Sequence, residues 1–107
     1  MPADKKFVDS VVELVAPLGV VTSKPMFGGY GIFHEGDMFA LISGTGLFFK
    51  ADASNLAAYQ QAGGKQYKPM PYYQVPSEIL ADTAKLLEWA KASAAVAHAS
   101  AKKKRKQ

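Results

Sequence analysis

The sequence predicts an α+β domain of two layers, in which an antiparallel β-meander packs against helices on one of its faces. Two observations support this fold class. Apolar residues recur at helical spacing near the start and again near the end of the chain, and three short apolar runs separated by tight-turn residues lie between them. The expected order of elements is α-β-β-β-α-(β)-β-α, without internal repeats or a second domain.

The first helix is predicted over about residues 4–17. Asp4 is a plausible N-cap, and Pro17 with Gly19 ends the helix. Its apolar stripe occupies positions i, i+4, i+7, i+8 and i+11, namely Phe7, Val11, Leu14, Val15 and Leu18.

Three strands are predicted next, over about residues 25–34, 38–43 and 47–50. Glu35-Gly36-Asp37 forms the first connection, and Gly44-Thr45-Gly46 forms the second. Both connections are short enough for hairpins, so the three strands are expected to pair as neighbours in an antiparallel sheet.

The second half of the chain is predicted to hold a short helix and a marginal strand. Asp52 or Ser54 can cap the helix, which extends to about residue 61 and stops at a pair of glycines. Residues 65–71 are too rich in proline for a central strand, and residues 72–75 follow as an edge or return strand.

The last helix is expected to begin at Ser77 or Asp82 and to bury a stripe that includes Leu80 and Leu87. Beyond residue 91 the chain is rich in alanine and nearly lacks large apolar side chains, so this end is expected to project or fray. We therefore expect a folded domain over residues 1–95 and a disordered Ala/Lys-rich tail over residues 96–107.

The positive charge of the chain belongs to that tail. The net charge is +4, with 13 basic and 9 acidic side chains. Five of the basic residues lie in the tail, which leaves 8 basic residues (13 − 5) against 9 acidic ones for the rest of the chain. A basic block of this kind either solubilises a terminus or contacts the nucleic-acid backbone. The nucleic-acid candidates are Lys102, Lys103, Lys104, Arg105 and Lys106.

Composition excludes several functional classes. The chain has no cysteine, so disulfides, thiolate nucleophiles and cysteine-ligated zinc are excluded. No apolar run is long enough to cross a bilayer, and the first residues lack the apolar core of a secretory signal. We expect a cytoplasmic protein that does not enter a membrane.

The segment over residues 26–33 is the most specific local feature, because it places three glycines among bulky apolar residues. Glycine weakens a strand unless the backbone must approach another group closely. A phosphate-binding loop would need a helix after the glycines, and a strand is predicted there instead. A closely packed strand and a partner-binding surface both remain open.

No catalytic, cofactor or metal site is predicted, and the chain is not expected to be an enzyme. His34 and His98 lie on different elements and are each expected to be exposed to solvent. Glu35 and Asp37 flank a turn glycine, as turn chemistry favours, and no serine lies in a nucleophile elbow. A deep pocket beneath the glycine segment would favour a small-molecule role.

A protein partner is the preferred expectation, and homodimerisation is one form that it can take. Glycines would allow close backbone approach, aromatic rings would supply contact area and a lysine would steer charge. Aromatic stacking on single-stranded nucleic acid is the alternative for the same rings. The partner-binding candidates are Phe27, Gly28, Gly29, Tyr30, Gly31, Phe48, Lys50, Tyr72 and Tyr73.

The chain also resembles a known family over about residues 5–95. The matching motifs are the segment 26–33, the runs 38–41 and 47–50, the segment 70–76 and the run 87–90. Together they resemble the N-terminal domain of the TfoX/Sxy proteins. The resemblance implies a bacterial protein with a fold similar to secretion chaperones and a regulatory role like that of competence regulators. It implies no catalytic residues, and the regulators themselves are longer, with a second domain.

Overall fold

The computed structural model describes residues 5–26, 29–43, 46–67 and 70–105, without the side chains of residues 103–105. Four helices and five strands make up these ranges, and a 3₁₀ turn, Ala16–Leu18, follows the first helix. The elements in chain order are α1 (Lys5–Val15), β1 (Val21–Met26), β2 (Gly29–His34), β3 (Asp37–Ser43), β4 (Gly46–Lys50), α2 (Leu56–Gln61), β5 (Tyr72–Gln74), α3 (Ser77–Leu80) and α4 (Thr83–Arg105).

The five strands form one antiparallel sheet in the order β1-β2-β3-β4-β5. This confirms the α+β class, the meander and the edge position of residues 72–74. The single strand predicted over residues 25–34 is wrong, because Met26 ends one strand and Gly29 begins another, and these two strands pair in antiparallel orientation. Strand β1 was missed because it is an edge strand with four exposed residues, one of them Pro25, and therefore lacks a buried alternating pattern.

A β-bulge between β2 and β3 sets which side chains face the helices. Ile32 pairs with Ala40 and Phe33 pairs with Met38, so Phe39 is the additional residue. Phe39 and Ala40 consequently both lie in the larger core, although they are adjacent in sequence. Regular alternation would have placed one of them on the opposite face.

Two apolar clusters lie on the two faces of the sheet. The larger contains buried residues from each of the four helices, with Val11 of α1 and Leu86 of α4 among its fully buried members. The smaller contains Leu41, Phe48 and Tyr72 of the sheet. All four helices therefore contribute residues to the larger core. That every helix lies on one face of the sheet stays a prediction.

Helix α4 packs along β3 and β4 for much of its length, so the expectation that the chain projects or frays beyond residue 91 is wrong. Ser93, Ala94, Val96 and Ala97 are all buried. Their small volume is the reason, because it lets the helix backbone approach the sheet without large side chains. Helix α4 continues to Arg105, and a domain boundary at residue 95 stays a prediction.

Within the described ranges, no helix is both long and apolar enough to cross a membrane.

Candidate functional site

The glycine segment brings strands β2 and β3 into close contact. Gly29 is buried, and a Cβ atom at this position would overlap the backbone carbonyl oxygen of Ile42. A Cβ at Gly31 would instead lie 2.9 Å from the Met26 sulfur and 3.0 Å from the Met38 sulfur. The close approach that glycine predicts is thus a backbone contact at Gly29 and a contact with two thioethers at Gly31.

Those thioethers belong to a partly exposed apolar surface, which we call the methionine face. It lies on the side of the sheet opposite the larger core and surrounds the smaller cluster. Its half-buried side chains are Met26, Phe33, Met38 and Met70. Methionine side chains are unbranched and polarisable, so they adapt to the shape of whatever covers them.

Two lysines lie on the same face of the sheet. Lys24 is exposed and pairs with Gly31 across β1 and β2. At the other end, the Lys50 ammonium lies 5.9 Å from the centre of the Tyr72 ring. The described strand residues that point to this face include no carboxylate. The methionine face is therefore apolar with a positive margin.

The structure divides the partner-binding candidates between the two faces. Gly31, Phe48, Lys50 and Tyr72 belong to the methionine face, whereas Tyr30 and Tyr73 pack against the larger core. Phe27 and Gly28 lie outside the described residues. Phe48 and Tyr72 are themselves buried, with the edge-on Tyr67 ring 5.3 Å from Phe48. These two rings therefore support the surface from beneath, and their half-buried neighbours would provide the contact area.

Two buried tyrosines have perturbed acidity. Burial raises the pKa of Tyr59 to about 12, partly offset by its hydrogen bond with the Ser93 hydroxyl at 3.3 Å. Burial likewise raises the pKa of Tyr72 to about 12. In both residues the neutral phenol is favoured in the folded protein, because the phenolate would lose its hydration.

This shift predicts unfolding in strong alkali. A folded-state pKa above the unfolded value of about 10 means that the stabilisation is complete below pH 10 and is lost as the pH rises towards 12. We expect tyrosinate absorbance and far-ultraviolet circular dichroism to change together over this interval. Ionisation of all 5 tyrosines near pH 10 with the fold intact would contradict the burial of Tyr59 and Tyr72.

The structure joins the two histidines, and the expectation of two separate, solvent-exposed side chains is wrong. His34 ends β2 and His98 lies on α4, with 2.7 Å between His34 Nδ1 and His98 Nε2. The outer nitrogens also have partners: His34 Nε2 lies 3.1 Å from the Leu18 carbonyl oxygen, and His98 Nδ1 lies 2.6 Å from Asp37 Oδ2. The side chain of Glu35, in the adjoining turn, lies close to both rings.

These contacts fix where the ring protons lie. The Leu18 carbonyl can only accept, so His34 Nε2 donates to it, and an ionised Asp37 requires His98 Nδ1 to donate as well. Two neutral imidazoles carry no further ring proton, so lone pairs remain on both nitrogens that face each other. A proton or a metal ion can therefore bridge His34 Nδ1 and His98 Nε2.

Sequence reasoning missed this cluster because 64 positions separate the two histidines. One signal could have found it. His98 follows Ala90 and Ala94 at intervals of four residues, so a helix that stayed packed on the sheet would place His98 on its buried side.

Together these features define a small α+β domain with a covered sheet face, a methionine-rich sheet face and a histidine cluster at the β2–β3 turn. Residues 13–97 match the family model of the TfoX N-terminal domain, which covers most of the 107-residue chain. The chain belongs to this family, as its motifs indicated. A search of curated proteins finds no match.

Proposed function

We propose that this chain is a non-enzymatic regulatory domain that binds a protein partner through the methionine face. Membership of the TfoX N-terminal domain family supports the regulatory class. The observation that carries the proposal is the group of half-buried Met26, Phe33, Met38 and Met70 side chains on the sheet face that holds the smaller cluster, against which Met38 and Met70 pack. The cytoplasm is the compartment that we propose for this role.

The chemistry of the surface defines its partner. Adaptable thioethers and aromatic rings favour an apolar segment. Lys24 and Lys50, at opposite ends of the face, favour acidic side chains beside that segment. The proposed partner is therefore a protein segment with apolar residues flanked by carboxylates.

The same charges disfavour a second copy of this chain as the occupant. In a pair of methionine faces, each copy would contribute Lys24 and Lys50, whereas the described strand residues that point to this face contribute no carboxylate. Like-charge juxtaposition opposes such association. A different protein fits the surface better than a homodimer does.

Site-specific photocrosslinking in cells tests this proposal. A photoreactive residue replaces Lys24 on the methionine face or, as the control, Lys91 on the exposed side of α4. We expect a discrete adduct from position 24 that position 91 does not give, and we expect its protein component to bind the purified domain. Identical adducts from both positions would contradict the proposal, and an adduct with the chain itself would identify a second copy as the occupant.

A second candidate function is non-specific binding of the nucleic-acid backbone through the basic terminus. The observation that favours it is the continuation of α4 to Arg105, because one helix then carries residues 102–105 beyond the buried Ala97. The residues proposed for this contact are Lys102, Lys103, Lys104, Arg105 and Lys106. Of these, Lys106 lies outside the described residues.

Fluorescence anisotropy with a labelled duplex tests this second function. The full chain is compared with a truncation that ends at Ala101, across a salt titration. Release of counterions by five charges predicts a log–log salt slope of at most about −4 to −5, lost on truncation. Binding that survives truncation would exclude the terminus as the contact, and the absence of binding at low salt would reject this function.

A further inference from the structure

We propose that His34, Glu35 and His98 form a binding site for a divalent transition-metal ion, with zinc as the best fit. One ligand atom from each of the three side chains lies within 4.8 Å of the others. This site is separate from the methionine face. The cluster lies at the β2–β3 turn and involves His98 of α4, on the side of the sheet that α4 covers.

The hydrogen bonds around the histidines prepare them as metal ligands. His34 donates its outer N–H to the Leu18 carbonyl, and His98 donates its outer N–H to the Asp37 carboxylate. Metal-bound histidines characteristically hold their second nitrogen in this way, which fixes the tautomer and aims the other lone pair at the metal. Here both inner lone pairs, on His34 Nδ1 and His98 Nε2, point at one position.

The distance between the inner nitrogens agrees with this assignment after a small adjustment. They are 2.7 Å apart. Two nitrogens bound tetrahedrally to zinc at about 2.0–2.1 Å would lie roughly 3.3 Å apart, so the rings would separate by about 0.6 Å. This separation requires small rotations of the two rings about their outer hydrogen bonds.

The ligand set selects the class of metal. Two imidazoles and one carboxylate suit zinc and its neighbours in the first transition series, whereas magnesium and calcium prefer oxygen ligands alone. Three protein ligands leave one position of a tetrahedral ion for solvent. Glu35 and His98 also line an open depression of about 460 Å³, through which an ion and a water molecule can reach the cluster.

The backbone at Glu35 is a second sign that this carboxylate is placed for a purpose. Glu35 has φ +51° and Gly36 has φ +88°, as in a hairpin turn that favours asparagine followed by glycine. A glutamate in the left-handed region costs stability relative to asparagine. The turn therefore retains a strained residue whose side chain reaches the two histidines.

Calorimetric titration of the purified full chain with Zn²⁺ tests the site. We expect one Zn²⁺ per chain, with Mg²⁺ producing no signal. The melting temperature should rise by about 10 °C at a free Zn²⁺ concentration 100 times Kd. The His34→Gln variant should lose at least about 100-fold in affinity, and Asp37→Asn, which replaces the carboxylate behind His98 by a neutral amide, should lose about 10-fold.

Two glutamate variants separate the metal role from turn structure. Glu35→Asn should raise the melting temperature of the metal-free protein while weakening Zn²⁺ binding by at least about 10-fold. Glu13→Gln, at an exposed position of α1, is the matched control and should leave both quantities unchanged.

Three results would overturn the proposal. The first is a wild-type chain that is folded by circular dichroism and does not bind Zn²⁺, which would leave a proton as the cation between the rings. The second is equal affinity in His34→Gln and the wild type. The third is equal affinity in Glu35→Asn and the wild type, which would remove the carboxylate from the ligand set.

Discussion

Replacing Gly29 by alanine is expected to lower the free energy of unfolding by roughly 3 kcal/mol or more. The added Cβ would overlap the Ile42 carbonyl oxygen, a backbone atom of the paired strand that cannot rotate away. To accommodate the added Cβ atom, β2 would have to move away from β3, the central strand of the sheet. Urea titration monitored by circular dichroism measures the change.

Gly31→Ala is the matched control, because it adds the same atom to the same strand. Its Cβ would meet the Met26 and Met38 sulfur atoms, the far ends of flexible side chains. We expect a loss of about 1 kcal/mol or less, since thioethers adjust their rotamers readily. Equal losses in the two variants would contradict the backbone contact at Gly29.

Replacing Ala94 by leucine is expected to destabilise the protein by about 2 kcal/mol and to lower its melting temperature by about 10 °C. Ala94 is 4% exposed, where α4 packs against the sheet. A leucine at this position would push the helix away from the strands or force its own side chain out of a favoured rotamer.

Ala95→Leu provides the control one position along, since Ala95 is exposed on the same helix. Both variants replace alanine by leucine in the same helix, so the change in helix propensity is the same for both. Any difference in their stability therefore reports packing. We expect Ala95→Leu to change stability by less than about 0.5 kcal/mol. Equal tolerance of leucine at both positions would mean that α4 does not pack where its alanines lie.

The sequence predicted those parts of the fold in which local pattern and burial agree. The sequence sufficed for α1 because that helix has one buried stripe, and for β3 and β4 because each is a short apolar run, buried on both faces. Strand β1 was missed because the exposure of its central residues removes the alternation on which recognition depends. The bulge at Phe39 was likewise invisible, since register is a property of two strands together.

The packing of α4 was misjudged for a related reason. Alanine and serine give a weak apolar signal, although small side chains are what a close helix–sheet contact requires. That error also concealed the histidine cluster, because His98 meets His34 only if α4 stays on the sheet. The sequence grouped Gly31 and Lys50 with Tyr30 as partner-binding candidates, whereas in the structure Tyr30 packs against the larger core on the other face of the sheet.

The most direct test of the proposed function uses the partner protein identified by photocrosslinking at position 24. Its affinity is measured for two charge-reversal variants of this chain. Lys24→Glu changes the margin of the methionine face, and Lys91→Glu makes the same change on the exposed side of α4. Binding through the methionine face predicts an affinity about 10-fold lower for Lys24→Glu and a change of less than about twofold for Lys91→Glu. Equal affinities of the two variants, or a larger loss in Lys91→Glu, would contradict binding through this face.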